Sequence, residues 1–364
     1  MKAWRFYAVG DMRLDDVPYP GNPKPGWVTL KVRVVQPSIT EAVRARGGPT
    51  MDGDFIKKMI EEHAPIQLLG HEFTAEVVEL GEGITSLRVG DRVAARSKIP
   101  CYQCALCKAG LQDRCRKGPS IGRQIPGAFA EYLAVPAEAV TVLPPAVSDS
   151  EGACMQSLGS SLADVADTDI QPGDTVVVLG QGVMGLNLLQ LAKVSGAGLV
   201  IGVDVRPTNL RLSKELGSDY QIDATKDDPV EAVRDITGSL GANVVFECAG
   251  GSPKEGLSGS KTLEQSFQIV TDVGKVVQVS HFGEPIEFRP EVLRRKSIRY
   301  IFPQSSSSKL FEHVVRLVAV GQVKIKPTIT HVLFGLEKVP ESFEITANKG
   351  KYDAVNPAQV VVSQ

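Results

Sequence analysis

Cys101, Cys104, Cys107 and Cys115 stand in the spacing C-x2-C-x2-C-x7-C, and the 364-residue chain has six cysteines in all. That spacing constrains the fold, because one looping segment then delivers a full tetrahedral set of soft ligands for zinc without a long loop closure. The rival use of the four is two disulfides, which need an oxidising compartment. The chain opens MKAWRFYAVGD, with no basic stretch followed by an apolar run, so zinc is the expected reading. Four thiolates leave no open coordination position. This metal stabilises a lobe and does no chemistry.

The length exceeds the roughly 100–200 residues of one domain, which predicts two domains. Forty Lys and Arg against 42 Asp and Glu leave a net charge of −2, with no basic block for a nucleic acid or an anionic membrane. No apolar run approaches the roughly 18 residues of a membrane span. A soluble cytoplasmic protein acting on a small molecule is the expectation.

Up to about Val142 the chain reads as short β-rich runs broken by glycine and proline: VTLKVRVV at 28–35, EFTAEVVELG at 72–81, GDRVAA at 90–95 and AEYLAVP at 130–136. These predict a twisted, partly closed sheet. After Pro144-Pro145 the apolar runs TVVVLG (175–180), LVIGVDV (199–205), ANVVFECAG (242–250) and GKVVQVS (274–280) alternate with helical segments. That is the pattern of an α/β doubly wound parallel sheet, buried on both faces. A polar break at Ser305–Ser308, a helix over KLFEHVVRLVAVG and a strand over AQVVV (358–362) follow. The tail is expected to return to the first domain, because alone it has nothing to bury its apolar faces against.

Gly180-Gln181-Gly182-Val183-Met184-Gly185 reads G-x-G-x-x-G. It follows the strand 175–180, opens a helix through Leu188, Leu191 and Ala192, and is followed by Asp204 at the end of the next strand. In that setting the glycines permit a tight turn, the helix N-terminus offers N–H groups to a pyrophosphate, and the carboxylate accepts ribose hydroxyls. Asp204 repels a 2′-phosphate, so NAD is expected over NADP. Val205 continues the strand end. Arg206 is either solvated or a lid over the adenine that softens this preference.

The four-cysteine lobe, the triplet Gly70-His71-Glu72 upstream and the dinucleotide fold downstream together resemble the zinc-type medium-chain dehydrogenase/reductase family, over essentially the whole chain. The resemblance implies a GroES-like β-rich catalytic domain over 1–150 and 305–364, with its zinc lobe at about 96–120, and a Rossmann NAD-binding domain over 151–304. It implies reversible hydride transfer between an alcohol and NAD(P). It also implies a homodimer or homotetramer built through the last Rossmann strand, here SIRYIF (297–302). Cys248, Ala249, Val279 and Ser280 are placed by it against the nicotinamide ribose.

The same resemblance exposes a departure. Relatives hold a catalytic zinc with a cysteine of C-G-[ST]-D, the histidine of GHE, and a cysteine, aspartate or glutamate before the Rossmann domain. The matching stretches here are Ser38-Ile39-Thr40-Glu41, Gly70-His71-Glu72 and Gln156 in Ala153-Cys154-Met155-Gln156-Ser157-Leu158. Neutral oxygens stand where two anionic ligands belong, leaving His71 and Glu72 as the strong donors. Three readings are open. Zinc binds through His71, Glu72 and a rearranged Glu41; or the metal is gone, and Thr40, the family's relay hydroxyl, works with Ser38 and with His71 as base; or the residues are remnants. On the first two readings the substrate is a secondary alcohol, cyclic or polyol-like, or its ketone. A same-fold enone reductase and a non-catalytic NAD-binding protein are the alternatives.

Cys154 reads as a buried free thiol rather than a rescuing ligand. His63 closes an expected helix over 51–65 that is either a surface helix or a roof over the substrate cleft. His281 is either cofactor-facing or an exposed loop residue. Gln359 stands where relatives often carry a cation near the pyrophosphate, which leaves that charge to the helix N-terminus.

Overall fold

The punctuated first part of the chain folds as strands β1 (Lys2–Ala8), β2 (Asp11–Asp16), β3 (Trp27–Gln36), β4 (Glu72–Leu80), β5 (Arg92–Ala95), β6 (Tyr132–Pro136) and β7 (Val140–Val142) in a computed structural model describing residues 1–48, 53–251, 258–282, 285–303 and 307–363. The opening MKAWRFYAVGD, for which pattern alone predicts no strand, forms a hairpin of β1 on β2 and buries Trp4 and Phe6 on either side of Arg5.

Long β3 takes β4 along one edge, while β6 and the later β15 share the other. β7 pairs with β5 at the far side of β4. Laid flat, β6 and β7 would lie four strand spacings apart, about 19 Å. Three residues, Ala137–Ala139, join them, and four Cα steps span at most about 15 Å. The sheet therefore rolls, helped by two irregularities in the β3–β4 register. Phe6, Leu30, Val32, Phe73, Val77, Val93, Phe129 and Leu133 fill its inside. The helix expected over 51–65 runs from Gly53 to His63, residues 51 and 52 lying outside the described ones. Its Ile56 and Ile60 enter this core, and it carries its lysines and glutamates outward.

Strands β8 (Thr175–Leu179), β9 (Leu199–Asp204), β10 (Tyr220–Asp223), β11 (Ala242–Glu247), β12 (Val270–Gln278) and β13 (Arg299–Ile301) make a parallel sheet in the order β10-β9-β8-β11-β12-β13. Helices such as Val183–Val194 connect them. The order reverses between β8 and β11, and the crevice beyond the carboxyl ends of those two strands is where doubly wound sheets bind ligands. After the helix Ser308–Ala319 come β14 (Val332–Phe334) and β15 (Gln359–Val361), and β15 joins β3 of the first sheet.

By contact the chain divides into two units, Met1–Gly159 with Ser305–Gly321 and Ile325–Gln364, and Ser160–Gln304 with Gln322–Lys324. One junction falls inside the helix Met155–Ala166. The expected boundary at 304/305 lies at residues outside the described ones.

Two features of the second unit lead to predictions. Val273 lies within β12 where the register against β11 shifts, at φ 61° and 70% exposed, a β-branched side chain in the left-handed region with little packing to lose. Val273→Gly should raise the unfolding free energy by about 1 kcal/mol, and an unchanged urea midpoint would argue against strain there. Asp164 is 3% exposed, and among the described residues its Oδ2 has no hydrogen-bond partner. Burial, reinforced by Asp167, lifts its carboxyl well above the ordinary 3.8. An acid whose pKa rises on folding penalises the folded state once the pH exceeds the unfolded value. The penalty grows by about 1.4 kcal/mol with each further pH unit until the folded value is reached. Asp164→Asn should therefore leave the melting temperature unchanged near pH 3 and raise it increasingly toward pH 7.

Candidate active site, zinc lobe and cofactor turn

The four cysteines converge as their spacing predicts. Their sulfurs all lie within 4.8 Å of one another, with Cys101–Cys107 and Cys104–Cys115 at 3.9 Å. A disulfide needs about 2.05 Å. A tetrahedron with metal–sulfur bonds of about 2.3 Å has edges of about 3.8 Å, so the set fits zinc with every coordination position filled by protein. The N–H groups of Cys101 and Cys104 point at the sulfurs of Cys115 and Cys101, at 3.3 and 3.4 Å. Burial opposes ionisation of Cys115, yet the N–H groups of Cys101 and Lys117 draw its thiol down to about 6. At the base of the lobe Gly118 crosses the carbonyl of Ile99 so closely that a Cβ would sit 1.8 Å from that oxygen. Only glycine permits this closure.

A second cluster forms in the first unit around a capping box. Ser38 caps the helix Ile39–Ala45, its hydroxyl accepting from the N–H of Glu41 at 3.2 Å while Glu41 Oε2 accepts from the N–H of Ser38 at 3.1 Å. Glu41 Oε1 accepts from the N–H of Gly70 at 2.8 Å and meets His71 Nδ1 at 2.6 Å. Gly70 stands at φ 79°, and a Cβ there would lie 2.9 Å from the N atoms of Ala128 and Phe129, so glycine alone brings that N–H to the carboxylate. Burial pushes the Glu41 carboxyl up, and the His71 charge together with the Ser38 and Gly70 N–H groups takes it below its ordinary value. Burial likewise depresses the His71 imidazole, and Glu41 more than reverses this.

Glu72, 4% exposed, is raised by burial and accepts from Gln36 Nε2 at 2.5 Å. Gln36 Oε1 accepts in turn from Asn356 Nδ2 at 2.8 Å and Gln359 Nε2 at 2.9 Å. Gln359 also donates to the Ser150 carbonyl, so this fully buried amide is part of the first unit's interior and not of a phosphate site. The Cys154 thiol lies in the same network, 3.6 Å from Gln36 Oε1, and burial pushes its pKa up. Thr40 and Gln156 are half-buried, on the helices Ile39–Ala45 and Met155–Ala166. Among the described residues the four cysteines are the one group of three or more His, Cys, Asp or Glu donors close enough to share an ion.

In the second unit the glycine turn has the shape a dinucleotide needs. Gly180 lies at φ 92°, where a Cβ would be strained and would sit a tight 3.1 Å from Ala249, and Gly185 packs where a Cβ would be 1.8 Å from the Gly180 carbonyl. Gly182, the N-cap of the helix Val183–Val194, has open space at its Cβ position. Asp204 secures the turn: Oδ2 accepts from the N–H of Gln181 at 2.6 Å, and Oδ1 from the N–H groups of Val205 and Arg206 at 2.8 Å each. Across the switch point the fully buried Glu247 gathers the two expected nicotinamide segments. Its carboxylate accepts from the N–H groups of Ala249 and Gly250 at 2.9 Å and from the hydroxyls of Thr262 and Ser280, and its carbonyl from Val279 and Ser280. Burial, with Glu247 and Asp164 nearby, raises the Cys248 thiol well above its ordinary value, an unreactive state.

Glu247, Gln36 and Asn356 hydrogen-bond to the expected site segments and are missed by sequence reasoning. Glu41 appears there only as a rearranged ligand, although Ser38-x-x-Glu41 is legible as a capping box. His63 is exposed at the end of its surface helix, and exposed His281 contributes its carbonyl to the N–H of Gly251.

Residues 24–145 match the alcohol dehydrogenase GroES-like domain, and residues 183–319 the zinc-binding dehydrogenase domain. A sorbitol dehydrogenase of Halalkalibacterium halodurans is 34% identical over 74% of this chain and 78% of its own. An L-threonine 3-dehydrogenase of Pyrococcus furiosus is 33% identical over 77% and 79%. Among solved structures, a zinc-binding dehydrogenase of Sinorhizobium meliloti 1021 bound to NADP is 28% identical, with a TM-score of 0.84 over 100% of this chain and 99% of that one. The chain belongs to the zinc-type medium-chain dehydrogenase family, the alcohol dehydrogenase-like oxidoreductases.

Proposed function

We propose that this protein is an NAD-dependent oxidoreductase that moves a hydride reversibly between a secondary alcohol, cyclic or polyol-like, and its ketone, with a degenerate catalytic zinc site and a structural zinc on Cys101, Cys104, Cys107 and Cys115. The observation that carries the reading is the gathering of Ser38 and His71 about one buried carboxylate, with Thr40 on the helix that Ser38 caps. Hydroxyl and imidazole groups so arranged suit a hydroxylated or carbonyl substrate that has to be bound and relieved of a proton.

The cofactor assignment rests on the G-x-G-x-x-G turn at a switch point and on the ribose-binding position of Asp204. NAD is preferred because the Asp204 carboxylate, held by three backbone N–H groups, stands where NADP would bring a phosphate. When bound, the nicotinamide accepts the hydride. Gly180, Gly182 and the helix beginning at Val183 would hold the pyrophosphate, and the backbone of Cys248, Ala249, Val279 and Ser280 the nicotinamide ribose. Free thiols suit a reducing cytoplasm. Edge strand β13, where Tyr300 meets Phe267 edge-on and Phe288 and the 60% exposed Phe302 at a tilt, supports a homodimer or homotetramer built through that edge.

A panel of secondary alcohols, ketones and enones followed at the nicotinamide absorbance tests the reading. Turnover of alcohols or ketones is expected; enones alone would make it a C=C reductase, and NAD binding without any turnover a non-catalytic protein. Thr40→Val should lower kcat by about 100-fold or more while NAD affinity holds, and normal turnover would remove Thr40 from proton transfer. Asp204→Ala should weaken NAD by about tenfold or more and narrow the NAD-over-NADP ratio, measured by fluorescence titration of both cofactors.

A further inference from the structure

We infer that this chain holds a single zinc ion, on its four cysteines, and that where the family keeps a catalytic metal the substrate oxygen is handled instead by His71 Nε2, its ring clamped by Glu41, with Ser38 and Thr40 beside it. The chemistry deepens the reaction proposed above and rests on it. The metal count does not.

The donors near the family position are neutral or already hydrogen-bonded through at least one atom. Ser38 brings a hydroxyl that serves as a helix cap, and Gln156 an amide. Both oxygens of Glu41 are occupied, by the N–H groups of Ser38 and Gly70 and by His71, and the side chain is buried, so turning it onto a metal would strip two buried N–H groups of their partner. Glu72 Oε2 is held by Gln36, whose amide cannot flip because its carbonyl already takes two N–H donors from Asn356 and Gln359. The Cys154 thiol faces Gln36 and the Ser150 carbonyl. His71 Nε2 and one oxygen of Glu72 are left, two donors where structural and catalytic zinc sites use three or four, and among the described residues these side chains form no three-donor group.

The same contacts prepare His71 for a proton. Its Nδ1–H donates to the Glu41 carboxylate, which fixes the tautomer and leaves a lone pair on Nε2. In alcohol oxidation the O–H bond breaks and its proton passes to Nε2. The carbinol C–H bond breaks with its electron pair, a hydride that an oxidised nicotinamide would accept when bound, and the C=O bond forms. The products are ketone, reduced dinucleotide and one proton, which His71 returns to solvent. Glu41 acts as a positioning residue.

The test is zinc per chain by mass spectrometry on the whole protein purified in micromolar zinc, with Cys115→Ser in parallel. About one zinc is expected, lost in Cys115→Ser; two zincs in the unsubstituted chain would overturn the inference whatever the activity. Glu41→Gln should lower kcat by about 10- to 100-fold at near-constant KM, NAD affinity and zinc content, with partial recovery in Glu41→Asp. Unchanged kcat in Glu41→Gln, or an equal loss in Glu41→Asp, would overturn the positioning role. A protein that turns over no alcohol or ketone would fail the reaction and leave the zinc count to be read on its own.

Discussion

A carboxylate taken out of water is tolerated when several N–H groups converge on it, and the loops that supply those groups then have one arrangement. The His71 cluster and the two cofactor segments are built on that constraint. Glu41 ties the start of the helix Ile39–Ala45 to the Gly70 turn and to His71. Asp204 ties the end of β9 to the glycine turn, and Glu247 ties the exit of β11 to that of β12. Remove one carboxylate and the segments it holds lose their common reference point, while the sheets beneath keep their cores.

The first unit turns this device to an unusual end. Ser38 and Gln156 bring neutral oxygens to it, and the interior behind Glu72 is lined with neutral amides. Neutral oxygens hydrogen-bond a substrate hydroxyl without attracting a divalent ion. The four-cysteine lobe has the opposite chemistry, four thiols at tetrahedral spacing with N–H groups aimed at two of the sulfurs. The two clusters thus differ in the charge their side chains offer to a metal ion.

Much of this is legible in the residues alone. The strand runs of both sheets, the glycine turn and Asp204 stand where pattern and spacing put them, because each depends on residues a few positions apart. The opening hairpin escapes such a reading because Arg5 and the charged face of β2 hide its alternation. β12 begins at Val270 rather than near Gly274, since Val273 adopts a left-handed conformation that propensity does not anticipate in a valine. Gln359, which by position substitutes for a phosphate-binding cation, is an interior amide because β15 seats it beside β3.

By itself the sequence determined the four-cysteine lobe, the cofactor turn, the two-part architecture and the neutral side chains at Ser38 and Gln156, all properties of residue identity and short-range spacing. Only the tertiary structure decided what became of the carboxylates. Glu41 meets His71 across 30 residues, and Gln36 meets Asn356 and Gln359 across 320 and 323. Such partners are chosen by how the sheet rolls and where the tail returns. A buried polar group binds whatever donor the fold delivers, and no local pattern names that donor in advance.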